Sequence, residues 1–137
     1  MFNRILAPVD LEHADRLAKA IGVTADLARH YGATVVFAAV TSNTPTAVAH
    51  NPQEFRRKLE DFAKEQGRKH GIAAEAKAYT AHDPAIQIDQ TLLGAIRETG
   101  ADLVVIGSHI PNVVDAIWPS HGGRIASHAS VSVLVVR

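Results

Sequence analysis

Cysteine is absent from this chain, and with it go disulfide frameworks and every zinc site built on thiolate ligands. A reducing compartment suits such a composition. An excess of either charge is missing too: 14 Lys and Arg residues balance 14 Asp and Glu, for a formal net charge of zero. That balance removes the electrostatic footprint of a nucleic-acid or anionic-membrane binder. No stretch reaches the roughly 18 apolar residues of a membrane span, and the run at residues 5–9 is too short for a signal peptide core. The expectation is a cytoplasmic protein with no nucleic-acid and no membrane partner.

Several chemical signatures are lacking as well. The eight histidines form neither His-Glu-x-x-His nor another metal-ligand spacing, so no metal site is expected. Neither Gly-x-Ser-x-Gly nor the Walker A loop occurs, which excludes the common nucleophile elbow and the P-loop phosphate cradle. A phosphoacceptor receiver domain shares the β/α order inferred below. Its chemistry needs acids clustered after the first strand, an aspartate closing the third and a lysine closing the last parallel strand. Here Asp10 stands alone after the first strand, Tyr79-Thr80 follows the third, and no lysine lies beyond Lys77. No catalytic residue is assigned, and the chain is expected not to be an enzyme.

What is present is one domain's worth of chain. At 137 residues it can bury roughly two thirds of its unfolded surface, enough to fold without a staple. Residues 5–9, 34–40, 103–107 and 132–136 are apolar, β-branched runs without polar alternation, as in strands covered on both faces of a parallel sheet. A shorter, edge-like strand is expected at 73–79 from alternation alone. Between the strands, Ala14, Leu17, Ile21, Ala25 and Ala28 recur at helical spacing up to Gly32, opened by Asp10 or Glu12. Phe55, Leu59 and Phe62 mark a second helix ending near Gly71, its other side a solvated charged face. Asp83-Pro84 reads as an N-cap and first helical position, followed by the stripe Ile88, Leu92, Ala95 and Ile96 up to Gly100. Residues 41–52 read as a surface loop, and 122–128 as a last helix of about two turns.

Helices alternating with strands give an α/β, doubly wound, five-stranded parallel sheet with helices on both faces. Such sheets bind ligands beyond the carboxyl ends of their strands, where the strand order reverses. The residues to inspect therefore follow the first, second and fourth strands: Pro8 to Asp10, Val40-Thr41, and Gly107 to His121.

The opening Ile5-Leu6-Ala7-Pro8-Val9-Asp10, the segment Asp83-Pro84-Ala85, the run from Gly100 to His109 and the closing run from Ser127 to Arg137 together resemble the universal stress protein family. The resemblance spans nearly the whole chain, read as one domain over residues 1–137. It implies a stress-response or regulatory protein that binds an adenine nucleotide, ATP or AMP with Mg, without efficient catalysis. In nucleotide-binding members, Gly-x2-Gly-x9-Gly-Ser/Thr after the fourth strand holds ribose and phosphates through backbone N–H groups and a hydroxyl. Gly107 matches the first glycine, Ile110 replaces the second, and Pro119-Ser120 stands for Gly-Ser with one residue fewer between. The chain thus resembles the branch that lacks the second glycine. Proline donates no N–H, so the phosphate contact falls to Ser120, His121 or Gly122, with Arg124 and His121 available as charge.

The candidate nucleotide-binding residues are Ala7, Pro8, Val9, Asp10, Val40, Gly107, Ser108, His109, Ile110, Ser120, His121 and Gly122. Asp10 suits an adenine or ribose edge and equally an N-cap. His109 can line the pocket or orient its loop through a backbone carbonyl. The family also implies a homodimer through the closing strand, with Val131, Val133 and Val135 at the contact. The alternative is a nucleotide-free dimeric interaction module of the same fold.

Overall fold

The computed structural model describes residues 1–107 and 118–137, the side chains of Ala85 and of residues 118–122 excepted. Five strands, β1 (Arg4–Pro8), β2 (Thr34–Thr41), β3 (Ala74–Thr80), β4 (Leu103–Gly107) and β5 (Ser132–Val136), alternate with α1 (Ala18–Tyr31), α2 (Pro52–His70), α3 (Pro84–Thr99) and α4 (Trp118–His128). They form one sheet in the order β3-β2-β1-β4-β5, every neighbouring pair parallel. The order reverses between β1 and β4, which is where the sequence places the ligand crevice.

Strand alternation sorts the core into two layers. Ile5, Val35, Phe37, Leu103 and Val105 pack with Ile21 and Ala28 of α1 and Phe55, Leu59 and Ala63 of α2. Leu6, Val36, Ala38, Val104 and Ile106 face Ile88, Leu92 and Ala95 of α3 and Ile125 of α4. Central strands apolar at every position are thus covered on both sides, as the unbroken runs require. Three helices stop at Gly32, Gly71 and Gly100, each left-handed with φ between +65° and +68°, a conformation that costs glycine nothing. At the amino edge of the sheet the Asp102 carboxylate accepts from the backbone N–H groups of Asn3 (2.8 Å) and Arg4 (3.1 Å). This clamps the start of β1 to β4.

The structure departs from the sequence reading in several places. The segment after Asp10 is first a 3-10 helix, Leu11–Leu17, and becomes α-helical only at Ala18. The second helix starts earlier than its apolar stripe: Asn51 caps it, accepting from the Glu54 N–H at 2.8 Å, and Pro52 fills the first turn. α4 begins at Trp118 rather than Gly122, so Pro119 sits at its second position, where a helix has no use for the N–H that proline lacks. β5, expected to be buried, is a half-exposed edge, with Leu134 38% exposed.

β3 occupies the other edge, spanning 74–80 rather than 73–79. Among the described residues its enclosed Tyr79 hydroxyl has no partner of hydrogen-bonding geometry; burial, followed by the nearby Glu98 carboxylate, pushes the phenol up to about 12. Asp83 holds the N-cap position of α3 but makes no capping bond through its side chain; its own N–H donates to Gln87 Oε1 at 2.9 Å. No helix among the described residues is long and apolar enough to cross a membrane.

Candidate functional site

The carboxyl ends of β1 and β2 open into a cleft of about 210 Å³. Val9 continues the β1–β2 ladder by one bond, donating its N–H to Ala38 O at 2.8 Å, and the chain turns away at Asp10. The segment 42–51 closes the opposite side. Thr46 organises it: its N–H donates to Ala49 O at 2.8 Å, and its hydroxyl oxygen accepts from the N–H groups of Val48 and Ala49. Ala49 is thereby buried, and the Lys58 ammonium of α2 holds Val48 O. The apolar walls are Val9, Leu11, Val40, Val48, Phe55, Pro84 and Ile88; Thr41, Ser42 and Thr46 supply hydroxyls, and Asp10 and Glu12 the negative charge.

Asp10 is more than a helix cap. Its Oδ1 accepts from the Glu12 N–H at 3.0 Å and its Oδ2 lies 2.9 Å from His13 Nδ1. His13 has non-helical backbone angles, φ −124° and ψ 31°, inside the 3-10 segment, and its own N–H donates to Asp10 O at 3.1 Å. Ring and main chain therefore both return to the same aspartate. The hydrogen bond to Asp10 raises His13 above its ordinary 6.5; desolvation opposes it, Asp10 and Glu12 add to it through their charge, and Arg16 subtracts.

Of the residues singled out from the sequence, Val9, Asp10 and Val40 line this cleft. Ala7 and Pro8 are core residues of β1 instead. Gly107 is buried at the end of β4 with an ordinary, non-positive φ. A Cβ placed there would sit 2.7 Å from Leu17 Cδ2 and 3.1 Å from Ala20 Cβ, so close packing of the 3-10 segment and α1 accounts for the glycine. Ser108, His109 and Ile110 lie outside the described residues. Ser120, His121 and Gly122 fall in the first turns of α4. That helix leads into a strand parallel to β4, so its N-terminus lies at the carboxyl edge of the sheet. The sequence reading missed Thr46, Val48, Phe55 and Ile88. Their signal was the apolar residues hidden in a turn-rich segment and helix stripes extending to the sheet edge.

This is the layering of a doubly wound α/β domain, and its cleft lies above β1 and β2, beside the order reversal between β1 and β4 rather than on it. The family model of the universal stress protein family matches residues 1–137, and the chain belongs to that family. Solved structures share the fold. A universal stress protein family member from Burkholderia pseudomallei superposes with a TM-score of 0.71 at 23% identity, over 98% of this chain and 95% of its own. The Archaeoglobus fulgidus protein in complex with dAMP gives 0.69 at 18%, over 98% of both. A universal stress protein in complex with cAMP gives 0.71 at 15%, over 99% and 97%. Among curated proteins none matches the sequence.

Proposed function

We propose that this chain binds an adenine nucleotide, ATP or AMP with its Mg, in the cleft above β1 and β2, and holds it without efficient turnover in a stress-response or regulatory role. The observation that carries this reading is the cleft itself: apolar walls from several segments, with the Asp10 and Glu12 carboxylates just past β1. At about 210 Å³ it falls below the roughly 300–1,000 Å³ of complete ligand pockets. It therefore takes the base, with Asp10 accepting from a base amine or a ribose hydroxyl. The phosphates extend toward the first-turn amides of α4, whose dipole favours anions. The complexes of family members with dAMP and cAMP support the ligand class.

Calorimetric titration of ligand-stripped protein with Mg-ATP and AMP tests this. Saturable heat is expected, weakened about tenfold in Asp10→Ala by loss of a charge-assisted hydrogen bond. No heat and no thermal shift at millimolar nucleotide would leave the interaction-module alternative standing.

The same reading includes a homodimer through β5. Among the described residues that strand pairs only with β4, which places it at the sheet edge with one row of its backbone groups facing away from β4. Val131 and Val133 are partly taken up against the α3–α4 layer, which makes Leu134 the prominent exposed side chain of the edge. Light scattering is expected to give a dimer mass at tens of micromolar and a monomer for Leu134→Arg; a monomer for the unmodified chain overturns the dimer.

A further inference from the structure

His13 belongs to none of the motifs above, yet its ring is fixed beside the cleft. It does not line the cleft; it stands behind Asp10, which does. A carboxylate only accepts hydrogen bonds, so Nδ1 must carry the proton in that contact, as the Nδ1–H tautomer or as imidazolium. With Glu12 N–H on Oδ1 and His13 on Oδ2, both oxygens are anchored and the carboxylate plane cannot turn freely.

We infer that His13 is the positioning and charge-selecting residue of the cleft: it orients Asp10 toward the ligand, and its protonation decides how well an anionic nucleotide competes with an uncharged nucleoside. The inference rests on the nucleotide reading and adds a residue and a selectivity to it. Asp10, Glu12 and His13 bring one polar atom each within 4.8 Å of one another, and among the described residues Arg16 is the other charge acting on His13. The other described walls of the cleft, from Val40 to Ile88, carry no charge. A proton on His13 therefore halves the negative charge of the Asp10–Glu12–His13 group. That change is felt most by a ligand whose phosphate lies close to the ribose, and hardly at all by a neutral nucleoside.

The sign follows from the raised His13 value. Imidazolium persists through pH 6.5 and is lost as pH climbs through the higher folded value, so anion affinity falls toward alkaline pH. Cyclic AMP is the suitable probe because its phosphodiester does not titrate in this range; adenosine is the neutral control. From about pH 6 to about pH 9, the Kd for cyclic AMP is expected to rise about two- to fivefold while that for adenosine stays level. His13→Asn keeps a donor for Asp10 without a titrating charge, so binding should persist with a flat profile. His13→Ala should bind both ligands more weakly at every pH.

NMR titration of the His13 ring in the ligand-free protein gives an independent readout, its pKa falling in Asp10→Asn. An unchanged pH profile in His13→Asn, or a His13 titration indifferent to Asp10→Asn, overturns the inference and leaves the nucleotide reading intact. Failure of both ligands to bind at any pH overturns both, with the NMR coupling still reporting whether the pair exists.

Discussion

Gly107→Val is expected to lower the unfolding free energy of the ligand-free protein by about 3 kcal/mol, roughly 10 °C in Tm. The reason is steric. The Leu17 terminus, 2.7 Å from the new Cβ, can swing aside, but Ala20 at 3.1 Å has no rotamer to change and moves only with its helix. Interiors packed to crystal density accommodate such an intrusion by backbone shift, at a cost. Denaturant unfolding without nucleotide checks this, and Leu17→Ala in the same chain should restore part of the loss through non-additivity. If the valine variant unfolded like its parent and lost only nucleotide affinity, Gly107 would be a ligand glycine and the packing account would be wrong.

A larger loss, about 4 kcal/mol, is expected for Phe37→Ala. Phe37 is fully enclosed at the centre of β2, and its ring meets that of Phe62 edge-on, centroids 5.3 Å apart at 84°. Removing it forfeits the transfer free energy of the ring, the aromatic pair and the contacts of the atoms left lining a void. α2 is held to the sheet largely by this layer, with Phe55, Leu59 and Ala63. A loss below about 1 kcal/mol in chemical denaturation would mean that α2 collapses readily into the space, contrary to a rigid wall for the cleft at Phe55.

The architecture was legible from the sequence because buried parallel strands have no polar face to disguise them. Ile5 to Val9 and Leu103 to Gly107 read as continuous apolar runs, and glycines closed three of the helices. β3 was legible only as alternation, since Ala74, Glu75, Ala76 and Lys77 are poor strand formers whose pairing is imposed by β2. The start of α4 was hidden because Trp118-Pro119 looks like a loop until the proline is seen to occupy a position that needs no donor. β5 misled for another reason: a valine-rich run states that a strand forms, while its place in the sheet decides how much of it is covered.

The site was half legible. Topology located Val9, Asp10 and Val40 correctly at the carboxyl edge, because strand ends follow from the strands. Gly107 matched a ligand motif, and the structure adds a packing reason for it that no motif records: the approach of Leu17 and Ala20. Thr46 and Val48 escaped notice because the hydrogen bonds that fold 42–51 over the cleft connect residues two and three apart in a pattern no periodicity reveals. His13 escaped because its partner, three residues back, meets it only where the segment departs from helical geometry.

The contact at Gly107 has a mechanical consequence. Leu17 ends the same short 3-10 segment that begins beside Asp10, and that segment rests against the tip of β4. β1 and β4 are thus bridged above the sheet by this segment, one end bearing on bare backbone and the other capped by the Asp10 carboxylate. A side chain added at the tip of β4 would therefore press on the same segment whose other end is capped by the acid lining the cleft, linking the packing of β4 to the placement of Asp10.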